Sequence, residues 1–235
     1  MKKLLYLPIC AWMVLCLDSC SNGPKIKEKP DDIIETSPRT ELYQAIMSEF
    51  PENKNNRTKQ QVLFDGSSEK RVILTRESEV YVTFISEGAG YENTFGWYIY
   101  DSTAVPSGPS KVELNVLFPT VSDRILKQGD MLQIGSGTFP AGTVIGFFLI
   151  IKGWENGSVH FDRETFYTDY TWDPNGEQQH ILYKQKDLGD LVLAFEDQNT
   201  SNASDNDFND IIFTVTDNKS GEAATNFDLR KVVLE

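Results

Sequence analysis

Cysteine is almost missing from this chain of 235 residues: there are three, Cys10, Cys16 and Cys20, all within the first twenty positions. Whatever folds beyond Cys20 has no intramolecular disulfide, no thiol nucleophile and no cysteine-ligated zinc. Histidine is nearly as scarce. His160 and His180 stand far apart, and neither adjoins a nucleophile motif. The chain has no G-x-S-x-G, no H-E-x-x-H and no phosphate-binding glycine loop, so the sequence reads as a binding protein and not an enzyme. Basic residues are in deficit, 22 Lys and Arg against 35 Asp and Glu, for a formal net charge of −13. Nucleic acid is thereby excluded as a partner, because its phosphates would repel the chain. No internal repeat is present.

The one early apolar run is Leu4–Leu17, preceded by Met1-Lys2-Lys3 and followed by Asp18-Ser19-Cys20. It is too short and too terminal for a spanning helix and reads as a secretory signal over residues 1–19. The Cys at its end makes it resemble a bacterial lipoprotein signal, with cleavage before Cys20 and a lipid (diacylglycerol, palmitate) on that thiol. Asp18 departs from the small or apolar residue usual there. The reading implies a protein anchored by lipid in the outer membrane of the cell envelope, on its periplasmic or its surface face. Residues 20–39 are rich in Lys, Glu, Asp and Pro and read as a flexible tether. A single domain is expected over 40–235.

Only Thr40–Phe50 has helical spacing, in Leu42, Ile46 and Phe50, with Thr40 as cap and Pro51 as stop. From Val62 onward the chain alternates short strand-like runs with Gly and Pro turns. Those runs include Glu79–Ser86, Thr94–Asp101, Val112–Phe118, Thr143–Lys152 and His180–Lys184. Many short strands without interleaved helices predict an all-β fold, here an antiparallel β-sandwich, jelly-roll-like, with one short N-terminal helix. Val144–Ile151 is almost continuously apolar and predicts a central strand buried on both faces.

The stretch with the most chemistry lies near the end. Leu191–Phe195 and Ile211–Thr216 are apolar strand-formers. Between them lie Glu196, Asp197, Asp205, Asp207 and Asp210, with Asn199, Asn206 and Asn209 among them. This predicts a hairpin with a long polar tip. Pairing would bring Glu196 and Asp197 beside Asn209 and Asp210, and like charges facing across strands destabilise. A hard cation held by carboxylate and amide oxygens, calcium above all, relieves that repulsion; full solvation is the plainer alternative. The Asp205-x-Asp207-x-Asn209 spacing resembles the opening of an EF-hand loop, but Asp210 stands where that loop needs glycine and Thr216 where it needs Glu.

Several motifs then line up in order: Pro51-Glu52, Val82–Tyr98 with Glu87-Gly88-Ala89-Gly90 and Asn93, Leu126-Lys-Gln-Gly129-Asp130, Phe139-Pro140-Ala-Gly142, Gln179-His180, and Phe195–Asp210. Together these resemble the domain of unknown function 4114 family, which forms the C-terminal part of LruC-type lipoproteins of Bacteroides-like bacteria. The resemblance spans roughly Thr40 to Asp217. It implies an exported β-sandwich with no established activity. The family's motifs fall here on Glu87, Asn93, Glu196, Asp197, Asp205, Asp207, Asn209 and Asp210, which makes these the expected calcium ligands. The metal's expected role is structural, within a binding, adhesion or assembly module that meets a glycan or an envelope protein; the alternatives are a calcium-dependent carbohydrate-binding module and, behind it, a glycan-acting enzyme. Tyr167, Tyr170 and Trp172 lie in a polar, turn-rich stretch and are the candidates for an exposed sugar-stacking platform.

Overall fold

The computed structural model describes residues 26–88, 90–200 and 204–235. The expected signal and Cys20 lie outside the described residues. In chain order the strands are β1 (Ile34–Glu35), β2 (Val72–Ile73), β3 (Tyr81–Glu87), β4 (Asn93–Asp101), β5 (Asn115–Val121), β6 (Asp130–Gln133) and β7 (Thr143–Ile150). They continue as β8 (Trp154–Glu155), β9 (Ser158–Val159), β10 (Thr165–Tyr167), β11 (His180–Lys184), β12 (Leu191–Phe195), β13 (Ile211–Thr216) and β14 (Val233–Leu234). Two α-helices, α1 (Thr40–Glu49) and α2 (Asn56–Lys59), precede β2.

Two sheets face each other, as the expected sandwich requires. One has the order β1-β6-β3-β13-β12-β11-β14, the other β10-β7-β4-β5 with β2 also on β7. Pairing is antiparallel throughout except for β14, which runs parallel to β11. In the first half of the chain, the connections from β3 to β4, β5 to β6 and β6 to β7 cross between the sheets. This is the jelly-roll-like part. The last long strands, β11–β12–β13, form a plain meander within one sheet.

Alternation in β3 sends Val82 and Phe84 into the space between the sheets. There they join Phe95 from β4, Phe147 from β7 and Phe213 from β13. Phe95 stacks on Phe213 with ring centroids 4.1 Å apart, so one aromatic pair ties the two sheets together. The meander strands carry apolar residues on their other face too. Helix α1 explains this: Leu42, Ile46 and Phe50 form one stripe that packs on Ile181, Val192 and Ile212 across the outer face of that sheet. The predicted helix is present, with Arg39 and not Thr40 at the cap position.

Every residue of β7 is buried, as its unbroken apolar run predicts. Its outward side is covered by Tyr98, Tyr167 and Trp172. Gly146 makes room for this cover: a Cβ there would lie 2.1 Å from Cζ of Tyr98.

The expected tether is docked over part of its length. Ile34 and Glu35 pair with Met131 and Asp130 as β1. Lys29 Nζ lies 2.7 Å from Oδ2 of the buried Asp130, and Ile33 packs on the core. The folded unit therefore begins before residue 40. Two adjacent strand residues are too short a signal for periodicity to reveal.

Candidate functional site

Phe195 sits opposite Ile211 where β12 and β13 meet the tip. Residues 196–200 and 204–210 lie beyond these strand ends, at one end of the sandwich. The expected meeting of strand ends is present: the backbone N–H of Asp197 donates to Oδ2 of Asp210 at 2.8 Å. The facing ends of β3 and β4 join them. Gly88 N–H donates to the Asp210 carbonyl at 2.8 Å, and Asn93 Nδ2 donates to Oδ2 of Asp197 at 3.1 Å. Glu87 opposes Ile211 in the register and accepts from the Asp123 N–H at 3.3 Å.

The contacts sort the expected ligands into two groups. Glu87, Asn93, Asp197 and Asp210 lie where β3, β4, β12 and β13 meet. Asp207 and Asp205 lie further out, beside Glu52. One carboxylate oxygen from each of Glu52, Asp205 and Asp207 lies within 4.8 Å of the others, the one such acidic group among the described residues. Glu52 and Asp205 are exposed and Asp207 is buried. Glu196 stands between the groups, accepting from the Phe208 N–H at 2.6 Å and from Ser204 Oγ. Asn209 turns away, its Nδ2 donating to the Phe50 carbonyl at 3.0 Å. It positions the loop, and its side-chain nitrogen is committed to the helix end.

The electrostatics follow from crowding. Burial first, then the nearby Asp207 and Asp205 carboxylates, push Glu196 up to about 7. Burial raises Asp210 too, reinforced by Glu196, Asp197 and Asp207. Asp207 is raised by burial and then by Asp205 and Glu52, and Asp197 by burial. Among the described residues, none of these carboxylates is in an ion pair with Lys or Arg. Lys152 and Arg57 act on Asp197 and Glu196 only at longer range. The donor set is entirely oxygen, which suits a hard divalent cation and none of the softer metals.

The loop is held in an unusual backbone form. Asn206 and Phe208 have φ of 61° and 59°. Positive φ is tolerable for Asn but costly for a bulky aromatic residue. Such conformations persist where the surroundings over-determine them. Here the Phe208 ring is fully buried and lies 4.9 Å from the Phe64 ring. The segment after α1 supplies the rest of the clamp. Asn53 N–H donates to Oδ2 of Asp207 at 2.8 Å, and Asn56 Nδ2 to the Asp207 carbonyl at 2.8 Å. Arg57 donates to Oδ1 of Asn206 at 3.1 Å and to the Gln178 carbonyl, while its guanidinium lies 4.6 Å from the centre of the Phe64 ring. Sequence reasoning missed Arg57, whose role carries no local signal. Glu52 was visible only within the Pro51-Glu52 motif.

The expected stacking platform is not built. Tyr167 is buried. Trp172 is half-buried and packs at 5.3 Å on Tyr98 and edge-on at 5.6 Å to Tyr167. These rings close the outer face of β7 and do not form a coplanar exposed row. Tyr170 is half-exposed on its own. His180 is fully buried with its ring 5.5 Å from that of Phe195, a core position.

Fold and site together define an all-β sandwich with a carboxylate-rich hairpin at one end. Residues 139–218 match the family model described as Domain of unknown function (DUF4114). The matched segment takes in β7, the meander and the whole acidic tip; Glu52, Glu87 and Asn93 lie outside it. No curated protein and no solved structure matches the chain.

Proposed function

We propose that this chain is a lipid-anchored protein of the cell envelope, held in the outer membrane through Cys20. Its β-sandwich works as a binding or assembly module braced by calcium at the acidic end. The observation that carries the reading is the Glu52–Asp205–Asp207 group, three carboxylates with oxygens within 4.8 Å of one another at the rim of a buried acidic seam. Without a cation these groups repel, and burial denies the inner ones the water that would screen them. A divalent ion there would neutralise the tip and join the segment after α1 to the β12–β13 loop. A domain without cysteine beyond Cys20 has no covalent cross-link to do this. Calcium's preference for six to eight oxygen ligands allows backbone carbonyls and water to complete the set. The test is calorimetric titration of the chelator-treated protein with calcium, beside Asp205→Ala/Asp207→Ala. Saturable binding lost in the double variant supports the reading. Absence of binding in the unaltered protein overturns the calcium reading.

A further inference from the structure

One side of the sandwich is left open between two strand edges. Strand β5 is the last of its sheet, and among the described residues no backbone hydrogen bond joins it to any strand but β4. Strand β6 pairs with β3 over 131–133, but on its other side β1 meets only Asp130 and Met131. The chain before β1, a strap, turns at Asp31 and Asp32. The outer edge of Leu132 and Gln133 therefore has no strand on it. These two open edges belong to different sheets and line one groove of about 660 Å³. Residues 115–117 and Pro119 of β5 border it, as do Leu132 and Gln133 of β6.

An open edge presents a row of N–H and C=O groups that template another strand, and sheets blunt such edges with charge or proline. Pro119, which has no N–H, does so at one end of the groove. Residues 115–117 are Asn-Val-Leu and carry neither device. Apolar side chains lie between the edges: Trp97, Leu117 and Leu132 line the groove and belong to the core between the sheets. The strap adds exposed carboxylates from Asp31 and Asp32. Asp31 is paired with Lys27, whereas Asp32 is in no ion pair among the described residues. Backbone edges, apolar lining and surplus negative charge together suit an extended peptide. Its backbone would pair with an edge, alternate side chains would enter the groove, and Lys or Arg would meet Asp31 and Asp32. From Asn115 to Pro119 the edge runs about 16 Å, room for about five extended residues. A second copy of this chain fits poorly, because each copy carries a net charge of −13.

We propose that this groove accepts an extended basic segment of another protein, which adds as a strand to the open edge of β5. The proposal rests on the binding-module reading and gives it a site. It depends neither on calcium at the tip nor on lipid at Cys20.

The probe is a dye-labelled heptapeptide of alternating valine and lysine, titrated with the full chain by fluorescence anisotropy in chelator and in calcium. Saturable binding is expected in both, with amide hydrogen exchange slowed across 115–117 and unchanged across 204–210. The same peptide N-methylated at every residue keeps its charge and side chains but has no backbone donors, and should not bind. Asp31→Asn/Asp32→Asn alters only exposed side chains and should weaken binding about fivefold at low salt. No binding of the valine-lysine peptide overturns the proposal. So does equal binding of the methylated peptide, unchanged affinity in the double variant, or protection at the acidic tip in place of β5. Calcium titration of the tip is read separately, so failure of either result leaves the other standing.

Discussion

Asn93 and Asp197 are 104 residues apart in sequence, yet Nδ2 of Asn93 donates to Oδ2 of Asp197 at 3.1 Å in the interior. The bond joins the first residue of β4, in one sheet, to the end of β12, in the other. The same Asn accepts from the Lys152 N–H at 2.9 Å, so three strand ends depend on one amide. Its fully buried side chain leaves no water to replace either bond.

Asn93→Ala should therefore cost about 1–3 kcal/mol, because it leaves a buried carboxylate and a backbone donor short of partners. Chemical denaturation with an unchanged slope checks this. A loss below a few tenths would mean that the two sheets are not coupled through this contact.

Gly146→Ala tests how the outer face of β7 is closed. The added Cβ would meet Tyr98 at 2.1 Å, and that ring is fully buried, with its hydroxyl donating to Oδ2 of Asp169 at 2.8 Å. It cannot yield cheaply. The expected cost is about 1–3 kcal/mol or more. A melting scan should show a fall of several degrees, with the acidic tip unaffected.

Arg57→Ala removes the donors that hold Asn206 and the Gln178 carbonyl. Hydrogen exchange should speed up across 204–210 and 52–57 while the meander strands keep their protection. Arg57→Lys should not restore it, because an ammonium lacks the planar fork that reaches both acceptors. Unchanged exchange in the loop would show that the clamp lies elsewhere.

Asp173 makes the stability depend on pH. Its Oδ1 accepts from the Tyr167 N–H at 2.6 Å, and its buried Oδ2 has no hydrogen-bond partner among the described residues. Burial, then the neighbouring Asp169 and Glu164, push it up to about 9. The folded state thus binds a proton that the unfolded state releases near 4. The contribution is fully present below about pH 4 and is lost as pH rises toward 9. Asp173→Asn keeps the Oδ1 acceptor and carries no charge. It should flatten this slope and raise the melting point at pH 8 more than at pH 5. The same gain at both pH values would contradict the assignment.

The sandwich was legible because its long strands carry their own evidence. Val82 and Phe84 alternate, Val144–Ile151 does not, and Leu42, Ile46 and Phe50 repeat at helical spacing. Each pattern reports a local environment. What failed to show was either very short or purely relational. The strap strand Ile34–Glu35 has two residues and is made by its partner β6. The meeting of Asp197 and Asp210 followed from hairpin pairing, whereas the approach of Glu52 to Asp205 and Asp207 joins residues about 150 positions apart. The burial of Tyr167 depends on Gly146 and Tyr98, about 20 and 70 positions away, beyond any local pattern.

The most direct measurement is thermal unfolding of the protein in chelator and then in millimolar calcium, with Asp205→Ala/Asp207→Ala alongside. An ion that binds only the folded state stabilises by RT ln(1 + [L]/Kd), about 2.7 kcal/mol at a hundredfold excess over Kd. A calcium ion bracing the tip predicts a calcium-dependent rise of several degrees or more in the unaltered protein and little or none in the double variant. Superimposable melts in chelator and calcium would contradict it.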